Sequence, residues 1–109
     1  MITTTTLKNA ARAIEHDLFT DPDGANYLVK DGAILRRWEP EHSSADSFEL
    51  AVSLRMHACT TEFAGFADSH DEDIMIRVAF EASDRSAYSP SHATRLAVLQ
   101  CASEIGAAL

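Results

Sequence analysis

The sequence predicts an α+β protein: a mainly antiparallel four-stranded sheet with three helices, in the order α-β-β-α-β-β-α. Three observations lead there. Asp31-Gly32 lies between two β-prone runs, which is the strongest short hairpin signal. Ile74, Ile76, Val78 and Phe80 alternate with Met75, Arg77, Ala79 and Glu81, the pattern of a strand with one face on the core. Apolar residues recur at helical spacing in three further stretches.

The first helix is expected from about Thr5 to Phe19, where Leu7, Ala10, Ala11, Ile14 and Leu18 share a face and the preceding threonines supply an N-cap. "TDPDGAN" ends it. "NYLVKDGAILRRW" gives two antiparallel strands around Asp31-Gly32, because both turn residues tolerate positive φ. The second helix spans roughly Ser44 to His57. Ser43 is its cap, Asp46 a capping-box-like acid, and Phe48, Ala51, Val52 and Arg55 form one stripe with Leu50 and Leu54 beside it. "CTTEFAGFA" reads as a single strand in which Gly65 permits a bulge or a close backbone approach. The strand over 74–81 follows, leaving the acids from Asp68 to Asp73 in the connection. A long, mostly buried third helix opens at Ser89 as N-cap with Pro90 in the first position. No internal repeat is visible. Consecutive hairpin strands usually pair in space, hence one sheet with helices packed on it.

A chain of 109 residues, 46% hydrophobic and 24% charged, has the composition of a single compact domain over residues 1–109. Nine basic against seventeen acidic residues give a formal charge of −8, which disfavours direct nucleic-acid binding and steers the molecule towards basic surfaces. Acidity also keeps small proteins soluble. The opening residues have no long apolar run, and no stretch approaches the roughly 18 apolar residues of a membrane span, so the expectation is a cytoplasmic protein without membrane contact. Cys59 and Cys101 are far apart in apolar stretches and read as free thiols.

No catalytic or cofactor signature is present. Five histidines, His16, His42, His57, His70 and His92, are scattered without metal-ligand spacing. No Cys-His nucleophile or glycine-rich phosphate loop is recognisable, so the chain reads as a binding protein and not an enzyme.

The densest chemistry is "DSHDED", with Asp68, His70, Asp71, Glu72 and Asp73. It lacks the spacing and glycine of a calcium loop. Such a run is ordinarily a solvated strand connection. It can also imitate a phosphate track and occupy an arginine cluster on a partner. Asp68, Asp71, Glu72 and Asp73, with Asp21 and Asp23, are therefore the candidate partner-binding residues. An alternative site is a pocket for an anionic ligand, with Arg36, Arg37 and Arg77 holding phosphates and Trp38 stacking. Ion pairing of those arginines and a core or lid role for Trp38 are the structural alternatives.

Trp38-Glu39-Pro40, Asp46 with "FELAVSL" from Phe48 to Leu54, and above all "HATRLAVLQCASEIG" from His92 to Gly106 resemble the phage ABA-sandwich domain over residues of about 38 to 109. The shared features are packing motifs. The resemblance implies a small phage accessory protein with an α/β sandwich and carries over no catalytic residue. With the acidic charge it gives the leading expectation: a phage-encoded, anti-CRISPR-like inhibitor of a host defence system, which binds a host protein or complex through an acidic surface that occupies basic nucleic-acid-binding residues. The alternatives are a sponge for a nucleotide signal, which would be a homo-oligomer, and a virion or assembly accessory protein.

Overall fold

A computed structural model describes residues 2–61, 64–69, 73–79 and 89–109. Its elements in chain order are α1 (Thr4–Ala13), β1 (Asp17–Thr20), β2 (Asn26–Lys30), β3 (Ala33–Arg37), α2 (Ser44–Ser53), β4 (Met56–Thr60), β5 (Ala64–Ser69), β6 (Ile74–Ala79) and α3 (Pro90–Ala107). The α+β class and the three helices agree with the expectation; the four-stranded sheet does not. The strands form two separate three-stranded antiparallel sheets, β1-β2-β3 and β4-β5-β6.

The two unexpected strands both arise where a helix stops early. In α1 the C-cap is Ile14, Glu15 takes a left-handed φ of 62°, and His16 N–H donates to the Ala11 carbonyl at 3.0 Å while Glu15 N–H donates to that of Arg12 at 3.0 Å. That is a Schellman turn, usually marked by glycine and here built on glutamate. The chain leaves the helix there, and Asp17 pairs with Val29 as β1 begins. α2 also ends on a left-handed residue, with Arg55 N–H donating to the Val52 carbonyl at 3.2 Å. Leu54 caps it, Arg55 has φ 53°, and Met56 opens β4. "CTTEFAGFA" is accordingly not one strand. Cys59 pairs with Phe66 and Thr60 with Gly65 across a turn in which Thr61 N–H reaches the Ala64 carbonyl at 2.8 Å.

A helix followed by a three-stranded meander thus occurs twice, with Thr4, Ala13 and Glu15 corresponding to Ser44, Ser53 and Arg55. The residue types at these positions differ, so the repetition is one of topology.

α3 is the central element. It packs on β4, β5 and β6 and against both other helices. Its contacts on several sides bury Ala93, Leu96, Ala97, Val98, Leu99, Cys101, Ala102 and Ile105. Small residues permit the close crossings. A Cβ at Gly106 would collide with the backbone of Asn9 in α1, and one at Gly65 would lie 2.5 Å from the Thr94 nitrogen. The close backbone approach expected at Gly65 is therefore made to α3. Ser89 caps α3, its side chain accepting from His92 N–H, and Pro90 occupies the first turn. Thr3 and Thr6 form a capping box at α1.

In the second sheet the inner face carries Ala67, Ile74, Ile76 and Val78 towards the core, while register places His57, Asp68 and Met75, then Cys59, Phe66 and Arg77, on the outer face. In the first sheet Leu18 and Leu28 face inward, and Phe19, Tyr27, Val29, Ile34 and Arg37 share the other face. The Asp31-Gly32 hairpin forms as expected, with φ 53° and 78°. Trp38, 1% exposed, joins Leu28, Leu50 and Leu99 in the core.

Candidate functional site

Of the acidic residues singled out from the sequence, those described fall on turns and strand ends of the two sheets. Asp21 and Asp23 lie between β1 and β2. Asp21 shapes that turn, its Oδ1 accepting the N–H groups of Asp23 at 3.0 Å and Ala25 at 2.8 Å, with Gly24 at φ 89° completing it. Asp23 is exposed, and its carboxylate has no hydrogen bond or ion pair among the described residues.

Asp68 lies within β5, not in the connection after it, because the strand runs to Ser69. It pairs in register with His57 on one side and Met75 on the other, and its Oδ1 is 3.4 Å from His57 Nδ1. Asp73 stands in the turn before β6 at φ 54° and is exposed. Asp68 and Asp73 come together with His57 and Met75 around a shallow, open pocket of about 210 Å³. Asp71 and Glu72, which complete the expected cluster, lie outside the described residues, as do His70, Phe80 and Glu81.

The electrostatics of this surface follow from how few acids are neutralised. Among the described residues, lysine or arginine pairs only with Glu39, Asp46 and Glu49. Glu15, Asp17, Asp21, Asp23, Asp31, Asp73 and Glu104 have no cationic side chain within 4 Å among the described residues. Most of them sit at helix ends and turns, where the charge projects into solvent.

The alternative ligand residues are dispersed. Arg36 points inward from β3 beside Leu28 and binds Asp46 at 2.6 Å and Glu49 at 2.9 Å. Its hydrogen bond to Asp46 raises the guanidinium pKa against the opposing effect of burial, with Glu49 adding to the rise. Asp46 also accepts the Glu39 N–H at 2.8 Å, so the acid read as half of a capping box ties β3 and the loop after it to α2 instead. Arg37 lies 3.7 Å from Glu39. Arg77 belongs to the other sheet, and buried Trp38 offers no face for stacking.

Two arrangements had no signal in the sequence, since their parts are about fifty residues apart. Glu41 stands between His42, at 3.5 Å, and His92, at 3.8 Å, with the two rings 6.1 Å apart. Beside it, α2, β4 and the first turns of α3 enclose a groove of about 240 Å³. The expected stripe on α2 is rotated relative to its surroundings: Leu50 is buried while Phe48 and Val52 are 71% and 60% exposed, and Phe48 forms the groove's rim.

Among the described residues no three His, Cys, Asp or Glu side chains converge to hold a metal ion, and no helix is long and apolar enough to cross a membrane. Comparison with protein-family models, with curated proteins and with solved structures finds no match.

Proposed function

We propose that the protein binds and blocks a basic, nucleic-acid-handling surface on another protein. The observation that carries this reading is the set of exposed carboxylates without a cationic partner among the described residues, Asp23 on its hydrogen-bonded turn and Asp73 foremost, in a molecule of net charge −8. Rigid presentation matters because a carboxylate already held in place gives up little conformational entropy when it meets an arginine. Several such groups together resemble a phosphate track, which is what a nucleic-acid channel is built to accept. Asp21 and Asp68 extend the acidic surface, and Asp71 and Glu72 add charge next to Asp73 in the sequence. The resemblance of residues 38 to 109 to a phage domain gives the setting: a phage-encoded inhibitor acting on a host defence complex, a CRISPR surveillance complex being the foremost case.

The test is competition. The tagged full-length chain is used to isolate its partner from a bacterial lysate at low salt, and the purified partner is then assayed for nucleic-acid binding. The expected result is displacement of nucleic acid in proportion to added protein. A complex in which the partner binds nucleic acid undiminished would refute the reading.

A further inference from the structure

The groove between α2 and α3 differs from the rest of the surface. No carboxylate is among its described lining residues, although the protein is strongly acidic overall. The N-terminal turns of α2 and α3, through Ser44 and Ser91, meet at it, so two helix dipoles present their positive ends there along with backbone N–H groups that have no intrahelical acceptor. Arg95 adds a full positive charge. Its Nε donates to the Glu41 carbonyl at 2.8 Å and its Nη1 to Ser44 Oγ at 3.3 Å, which fixes the guanidinium at the groove wall. The floor is apolar, formed by Ala51, Ala58 and Val98, and the exposed ring of Phe48 stands at one side.

One side chain points to an occupant. Ser47 is only 5% exposed, lines the groove, and its hydroxyl has no hydrogen-bond partner among the described residues. The hydroxyl opens into the groove, where nothing in the described protein uses it, and serine is a poorer helix former than alanine. Its neighbour Thr94, by contrast, is satisfied by Thr60 at 2.6 Å and the Pro90 carbonyl at 3.0 Å.

We propose that this groove binds a small phosphate monoester carrying a flat apolar group. The phosphate sits between Arg95, the Ser47 hydroxyl and the N-terminal N–H groups of the two helices, and the apolar group lies on the alanine and valine floor against Phe48. The volume suits a compact ligand and not a polymer. The site is independent of the acidic surface, and either can stand without the other.

The experiment is an NMR titration of the full chain with phenyl phosphate, with inorganic phosphate and phenol as single-component arms. Phenyl phosphate is expected to saturate, moving the amides of Ser47, Phe48, Ser91 and Arg95, with each single-component arm at least about tenfold weaker. Ser47→Ala is expected to raise the melting temperature by a few degrees while weakening phenyl phosphate several-fold, a combination that a merely structural serine would not give. Ser47→Val, which removes the hydroxyl and puts a methyl group in the phosphate's place, is expected to abolish binding. The proposal fails if nothing saturates up to about 10 mM, if phenol binds as well as phenyl phosphate, or if Ser47→Ala leaves the affinity unchanged.

Discussion

Glu15 and Arg55 hold left-handed backbone conformations that cost a residue bearing a Cβ about 1 kcal/mol. Glycine removes that cost at the position after a C-cap. Glu15→Gly and Arg55→Gly are each expected to stabilise the fold by about 0.5–1 kcal/mol, read as a higher urea midpoint with an unchanged slope. The two thiols differ in a second measurable way. Cys59 is exposed; Cys101 is fully buried, and burial, with Glu104 and then Asp68 adding, pushes its thiol up to about 11. In native protein a thiol reagent is expected to modify Cys59 alone, with Cys101 reacting only on unfolding. Because the unfolded thiol ionises near its ordinary 9 and the folded one does not, stability falls as pH rises from 9 towards 11, by at most about 2–3 kcal/mol. Cys101→Ala is expected to flatten that part of the stability curve relative to the parent; an unchanged slope would contradict the assignment.

At the scale of elements, two contacts hold the architecture together. α1 crosses α3 where Gly106 meets the Asn9 backbone, and Gly106→Ala is expected to destabilise by about 3 kcal/mol, because neither backbone can move without shifting a whole helix. Asp46 joins β3 and the Glu39 N–H to α2. Asp46→Ala strands the Glu39 N–H and leaves Arg36 with Glu49 alone, and is expected to cost about 2–3 kcal/mol, more than Arg36→Ala, whose removal leaves Asp46 still bonded to Glu39; urea denaturation of the two variants checks the order. The three helices, the Asp31-Gly32 hairpin and the cap at Ser89 were legible because each has a local cause: a period, a turn that needs positive φ, a side chain that accepts from the first turn. The early ends of α1 and α2 were not, because the residues in the left-handed position are glutamate and arginine, and the apolar spacing of Ile14 and Leu18 continues past the break. The overrun of α1 absorbs most of β1, and the overrun of α2 absorbs the start of β4, whose remainder reads with β5 as one strand, so two sheets appear as one. Trp38 and Arg36 were legible as residue types but not as neighbours, since only the inward turn of β3 places one in the core and the other on Asp46.

At the scale of the molecule, the net charge was legible, whereas its distribution was not. Only the fold decides that Asp68 lies on a strand beside His57, that Asp21 is occupied by its own turn, and that Asp23 and Asp73 project free of any described cation. An acidic surface of this kind binds through Coulombic attraction that salt attenuates: the screening length falls from about 10 Å at 0.1 M to about 3 Å at 1 M. The most direct measurement is calorimetric titration of the purified partner across that range of sodium chloride, with the parent and with Asp23→Asn/Asp71→Asn/Glu72→Gln/Asp73→Asn. The account predicts that the parent loses at least about tenfold in affinity as salt rises and that the neutralised variant binds weakly at every salt concentration. Affinity indifferent to salt, or undiminished in the neutralised variant, would contradict it.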